Sequence, residues 1–392
     1  MDGAIDSSDR DDARAAGPVL RTAQVAARDP EAAAGIAEAL GPGPFALICL
    51  FVSPEAAFGP LMKRIEERYP HAQIMACTTA GEIGRAGYET GQIVAAGFGE
   101  ADFRVQLVKI PDLGGVKDQP LIDKVIQTRL ALGAAAPKGW SEFAFLMVDG
   151  LSLAEERLAS LLATGLGSMP LFGGSSGDGA RFSETRLYFD GAERRNAAVA
   201  ALIRSRAQVK VFTLDHLQPT DTRMVVTGAR PEERIVTEIN AEPAAQEYAR
   251  LLGKDPHQLD PFTFAAHPVV VRLGDSHHVR AIQRVNDAGE LVFFSAINEG
   301  MVLTLADHDD IAAHLDARLG DMQEDFAPVQ ILACDCILRR IEAEQSQKAR
   351  TISDILRRHN VTGFSTYGEQ VGAMHVNQTL TGVAFYPAGS GR

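Results

Sequence analysis

Cysteine is scarce in this sequence, with four thiols in 392 residues: Cys49, Cys77, Cys334 and Cys336. So few cysteines in so long a chain exclude a disulfide framework and point to a reduced, cytoplasmic setting. Cys-x-x-Cys-His is absent, which excludes covalent haem attachment. Cys334-x-Cys336 is too tightly spaced for a zinc knuckle, so a redox or strand-end packing role is expected for that pair. Long apolar runs are missing too, and none approaches the roughly 20 residues a membrane helix needs. The first 14 residues carry no apolar segment and are not read as a secretory leader; residues 1–21 are expected to be a disordered tail. Positive charge is in deficit, with 38 Lys and Arg against 51 Asp and Glu. A net charge of -13 without a basic stripe argues against nucleic acid or an anionic membrane as partner. Neither G-x-x-x-x-G-K-[ST] nor G-x-S-x-G occurs, so no phosphate cradle or hydrolase elbow is encoded.

What is present is a repetition. Ala76-Cys77-Thr78-Thr79-Ala80-Gly81-Glu82 and Gly173-Gly174-Ser175-Ser176-Gly177-Asp178-Gly179 are both small, hydroxyl-rich turns with a carboxylate. An apolar run precedes each, Phe45–Val52 and Phe143–Val148, whose continuous hydrophobicity predicts strands buried on both faces. Helical stripes follow: Phe58, Leu61, Met62 and Ile65 in one copy, Leu158, Leu161 and Leu162 in the other. Ser53-Pro54 and the capping box from Ser152 to Glu155 are the expected helix starts. The pattern predicts an α/β (α+β) protein: a duplicated α/β domain over residues 22–230, with copies at about 45–110 and 143–214, then a mixed α+β domain over 231–390.

Ahead of the first copy, Ala23–Leu40 reads as one helix. In the second domain a strand is expected over 234–239 and a helix to Leu252. Phe262–Leu273 reads as a strand forming a hairpin around Gly274-Asp275-Ser276. A strand ending at Cys334-Asp335-Cys336 feeds one long helix reaching Arg358.

The chemistry-bearing residues fall into two groups. The turns offer Thr78, Thr79, Glu82, Ser175, Ser176 and Asp178 at the edge of a buried sheet, where the loops of α/β units carry sites. No histidine adjoins either turn, so a nucleophile there lacks a visible base. Histidines form the second group. His267 lies in an apolar run next to Pro268, and His375 stands in an uncharged stretch. An imidazole in such surroundings stays neutral and is free to bind a metal, although it can equally be a hydrogen-bonded core residue. His216 is a reserve candidate, and His277-His278 are expected to be exposed.

The two turns resemble the signature turns of the FIST N-terminal domain, and Ile235–Tyr248 resembles the opening of the FIST C-terminal domain. Gly363-Phe364-Ser365-Thr366-Tyr367-Gly368-Glu369 and Asn377–Gly382 are similar as well. Ala241 departs from the pattern, which usually carries Gly there. The resemblance implies a sensory input module of bacterial signalling. His267-Pro268, the run Asp335–Arg340 and Met374–Asn377 are similar to the stand-alone nitric-oxide-sensing haem proteins of the family. That implies haem b as cofactor, nitric oxide as stimulus, and a separately encoded histidine kinase or cyclic-di-GMP enzyme as partner, with a homo-oligomer possible. His375 or His267 would then ligate the iron, Arg280 or Arg272 would pair with a propionate, and Val269, Val271, Phe293 and Phe294 would cover the ring. Two rivals stay open: an amino-acid-like solute held between the glycine turns by Glu82 and Asp178, and an enzyme using Thr79 or Ser176.

Overall fold

The computed structural model describes residues 18–273, 276–322 and 327–387. Most of the expected tail and the turn residues Gly274 and Asp275 lie outside the described residues. The fold is mixed α+β, as the hydrophobic patterning predicts, but its repeat occurs three times, not two. Each repeat contains an edge strand, a helix, two parallel strands joined by a second helix, a hairpin and a closing antiparallel strand. In the first repeat these are Arg21–Ala26, Ala32–Leu40, Phe45–Val52, Phe58–Arg68, Gln73–Thr78, the hairpin 82–89 and Gln92–Gly99. The second runs from Phe103–Ile110 through Asp118–Ala135, Ser141–Val148, Glu155–Leu166 and Leu171–Ser175 to the hairpin 187–194 and Ala198–Ser205. The third begins with Val209–Leu214 and resumes at Ile311–Asp321, Gln330–Cys336, two short helices, Val361–Thr366, the hairpin 369–376 and Leu380–Phe385.

Each repeat builds four strands of its own six-stranded sheet and gives its hairpin to another repeat. The first hairpin joins the third sheet, the second joins the first, and the third joins the second, so the exchange closes in a ring. All three sheets turn one face to a common apolar core containing Leu47, Phe51, Phe145, Phe172, Leu332 and Phe364. Phe51 stacks on Phe364 at 4.7 Å and meets Phe145 edge-on at 6.3 Å, joining the three repeats through ring contacts. The opposite faces are covered by each repeat's own helices. With both faces buried, the inner strands read as unbroken apolar runs.

Within the third repeat, between its edge strand and its first helix, the chain inserts an antiparallel sheet spanning 217–308, built on the long strand Leu217–Arg230. The boundary expected at 230/231 falls at the end of that strand, and the sheets do not part there. The strand Leu217–Arg230 pairs onward with Ile235–Ile239, and Val209–Leu214 pairs with Leu380–Phe385 at the far end of the chain.

Several local expectations are corrected. Ala23–Leu40 divides into a strand and a helix around Asp29-Pro30, since proline removes a donor and fixes φ. Pro261–Ala266 is a helix, not a strand: Asp260 caps it by accepting from Thr263 N, and Pro261 occupies its first turn. The long helix breaks into Ile337–Gln345 and Ala349–Arg358, with Gln347 at φ 58° between them. Neither expected helix start caps: those helices begin at Phe58 and Glu155 without a side-chain cap. No helix among the described residues is long and apolar enough to cross a membrane.

Candidate functional site

The hydroxyl-acid turns meet where the three repeats converge, and they satisfy one another's carboxylates and backbone groups, although Ser365 Oγ in the third turn is buried without a partner. Ala80 N donates to Ser365 O at 2.9 Å and Ser365 N to Gly81 O at 2.7 Å. Gly177 N donates to Thr78 O at 3.0 Å, and Ser175 N to Gly368 O at 2.8 Å. Each carboxylate is consumed internally. Glu82 accepts from Thr79 Oγ1 and from Gln92 N at 3.0 Å; Glu369, its counterpart in the third repeat, accepts from Thr366 Oγ1 and from Thr379 Oγ1 at 2.7 Å. Asp178 accepts from the backbone N–H groups of Phe182, Ser183 and Glu184 at 2.8–3.0 Å and from Tyr367 OH. Thr78 Oγ1 accepts from Arg186 N, Ser175 Oγ from Gln370 Nε2, and Ser176 Oγ from Gly150 N. All these side chains are buried. Glu82 and Asp178 therefore face no solute, and Thr79 and Ser176 present no nucleophile to solvent. Burial pushes the carboxyl of Glu82 up to about 7 and that of Glu369 to about 8, against the opposing pull of their hydroxyl donors.

A second polar cluster lies at the seam between the second repeat, the hairpin of the third and the inserted sheet. Glu155, at the start of its helix, forms a buried ion pair with Arg234 of the insert at 2.6 Å. Burial pushes Glu155 up, but the Arg234 guanidinium outweighs it and holds the carboxyl below its usual range. His375 on Met374–Val376 is buried, and desolvation lowers its pKa and keeps it neutral. Its Nδ1 lies 3.1 Å from Gln370 Nε2, a donor, so the network assigns the imidazole proton to Nε2. That Nε2–H has no partner, and neither has the buried Nε of Arg280. Between them is a cavity of about 130 Å³ lined by Glu156, His278, Arg280, Met374 and His375 among others. Glu156 stands 3.7 Å from Arg280, whose guanidinium burial lowers from its usual range.

Of the histidine-group candidates the structure thus joins His375 and Arg280, while His267 and Arg272 do not line this cavity. His267 is half-buried at a helix C-terminus, its carbonyl accepting from Tyr248 OH at 2.5 Å. Arg272 is on the strand Val269–Leu273, opposite His277. Val269 and Phe293 belong to the insert's own core, and Phe294 packs on Phe182 at 5.6 Å. His277 is exposed, as expected, whereas His278 is partly buried and reaches the cavity. All four cysteines are buried free thiols. Desolvation raises the pKa of each far above the usual range, so Cys334 and Cys336 are inert packing residues, not a redox pair.

Haem b would need a wider site than this geometry offers. Sites for drug-sized ligands occupy about 300–1,000 Å³, and a porphyrin is larger than that lower bound allows, yet the cavity beside His375 is about 130 Å³. With Gln370 Nε2 donating to Nδ1, the Nε2 lone pair of His375 becomes free for iron only if that amide turns over. Gly368 presses on the ring so closely that a Cβ there would lie 2.3 Å from Cε1. The residues around His375 do not fit a macrocycle.

Sequence reasoning missed Glu155, Glu156, Arg234 and Gln370. Glu155 had a local signal that pointed elsewhere, to a capping box. Arg234, Gln370 and Glu156 meet only through tertiary packing.

Comparison with protein families finds that residues 46–242 match the FIST N domain and residues 244–372 match the FIST C domain. A comparison with curated proteins returns no match.

Proposed function

Because the chain belongs to the FIST family, whose domains are sensory ligand-binding modules of signalling proteins, we propose that it is a receptor for a small amino-acid-like solute at the seam around His375. One observation carries this reading: two buried donors, His375 Nε2–H and Arg280 Nε–H, are unpartnered beside a cavity. Leaving buried donors unsatisfied costs about 1–3 kcal/mol each, a cost that a ligand carboxylate removes on binding. Glu156 lines the same wall, and although its Oε2 accepts from Ala296 N at 2.9 Å, its Oε1 is placed to receive an ammonium group. A volume of about 130 Å³ is that of roughly four waters, which restricts the solute to the size of the smallest amino acids. The cavity lies between the repeats and the insert, so a bound solute would bias how those parts pack, and a separate histidine kinase or cyclic-di-GMP enzyme would read that bias.

Calorimetric titration of the full chain with glycine, alanine, β-alanine and acetate tests the reading. Saturable heat is expected for at least one solute, weakened at least tenfold in Arg280→Ala and in His375→Ala. Absence of heat from the whole series, or binding undiminished in Arg280→Ala, would overturn it. The haem b and nitric-oxide alternative predicts a Soret band on adding hemin that disappears in His375→Ala, which requires the hairpin 369–376 to swing away from Gly368.

A further inference from the structure

His216, the reserve candidate, lies far in sequence from the residues that surround it in the fold. It follows the edge strand Val209–Leu214, His308 ends the strand Val302–His308 of the insert, and Glu342 lies on the helix Ile337–Gln345 of the third repeat. Their side chains converge at the joint between the insert and the ring of repeats. We propose that His216, His308 and Glu342 form a site for a divalent transition-metal ion, with zinc the best match.

The donor atoms already have the right separations. His216 Nε2 is 2.8 Å from Glu342 Oε1, His308 Nδ1 is 3.0 Å from Glu342 Oε2, and the two nitrogens face each other at 3.3 Å. A tetrahedral ion with bonds of about 2.0–2.2 Å holds its ligand atoms roughly 3.3 Å apart, so small outward shifts accommodate it. Two imidazoles and one carboxylate suit zinc, cobalt or ferrous iron and disfavour magnesium or calcium. Three protein ligands leave a fourth position for water. His216 and Glu342 are buried while His308 reaches the rim, which gives an ion a route in. His308 Nε2 and the nearby His314 Nδ1 are both buried without a partner.

Arg339 sets the cost. Its Nη1 donates to His216 Nδ1 at 2.8 Å, which puts the His216 proton on Nε2, facing Glu342. For both imidazoles to ligate, the His216 proton must move to Nδ1 and Nη1 must turn away, and the proton that His308 Nδ1 donates to Glu342 must move to the unpartnered His308 Nε2, while Asp335, bonded to Arg339 Nε at 2.8 Å, keeps the guanidinium neutralised. The protein therefore binds the ion more weakly than a site whose imidazoles already carry the ligating tautomer.

The test uses the full chain, stripped with EDTA and desalted, then titrated with Co²⁺. The visible d–d absorption of four-coordinate cobalt should saturate at one equivalent and be displaced by Zn²⁺. His308→Ala, at the rim, and Glu342→Gln should each weaken cobalt binding at least tenfold, and His308→Asn serves as a second rim variant if the alanine form loses its circular dichroism. His375→Ala should bind cobalt normally, which separates this site from the solute cavity. No d–d absorption in the wild type, or absorption unchanged in a folded His308 variant, would overturn the proposal.

Discussion

The hydroxyl-acid turns and the seam around His375 are both buried and both crowded with polar atoms, yet they differ in completeness. At the turns every named carboxylate oxygen has a donor, supplied by the same repeat or by its neighbour. At the seam one close and one long ion pair are made, and two donors are left over. A saturated buried network rigidifies a core, whereas an unsaturated one is unstable unless something else completes it. The sequence signal that stands out most, the repeated turn, is therefore the structural hub of the ring, and the two unpartnered donors lie where the insert meets the ring.

The largest effect expected of a single substitution comes from breaking the closest and most buried ion pair at the seam. The side chains of Glu155 and Arg234 are 2% and 4% exposed. Glu155→Gln leaves a guanidinium buried against a neutral partner and should cost about 3–5 kcal/mol. A drop in the urea midpoint with an unchanged m-value measures it. The double variant Glu155→Gln with Arg234→Met should recover most of the loss, because no charge is then stranded. A single-variant loss below about 1 kcal/mol would mean that the seam is open to water and would remove the contrast with the turns.

Per pH unit, a smaller effect separates the two regions. Glu82 and Glu369 release their protons at about 7 and about 8 in the folded chain, against an ordinary 4.5. Above pH 4.5 the unfolded chain has lost protons that the native turns still hold. Stability is therefore fully present at lower pH and falls as pH rises, by roughly 1.4 kcal/mol per unit for each group. The decline should involve both groups up to about pH 7, continue with Glu369 alone to about 8, and then level off. In Glu369→Gln the slope between pH 5 and 7 should halve and that between 7 and 8 should vanish, as read from urea midpoints across the range. Glu342, held at about 2 by its two histidines against the upward push of burial, acts in the opposite sense, and only at acid pH.

These contrasts also mark what was legible in the sequence. Buried strands announced themselves as unbroken apolar runs, and two turns were recognisable by their hydroxyls. The third, Gly363–Glu369, resembles the first closely, with Thr366 and Glu369 standing where Thr79 and Glu82 stand. It escaped counting as a repeat because the insert 217–308 separates its edge strand from its first helix. His267 was misplaced because apolar β-branched residues follow it, while Asp260-Pro261, the helix-start signal before it, is only two residues long. The hairpin exchange was illegible in principle, since each hairpin's local pattern is the same whichever sheet it joins.

Asp178 provides the finest test of the idea that the turns complete themselves. Arg181 Nε lies 3.9 Å from its carboxylate and donates instead to the Asp178 carbonyl oxygen at 3.0 Å. Three backbone N–H groups, Ser183 Oγ and Tyr367 OH already fill that carboxylate, and the Arg181 side chain is 64% exposed. Water and salt screen such a charge, and the ordering of a long side chain offsets what remains. Arg181→Ala should therefore shift stability by less than about 0.5 kcal/mol, at low salt as at high, when thermal midpoints are compared at both ionic strengths. A salt-dependent loss beyond about 1 kcal/mol would show that the turn borrows its stability from the surface, and the distinction between a closed hub and an open seam would then be one of degree.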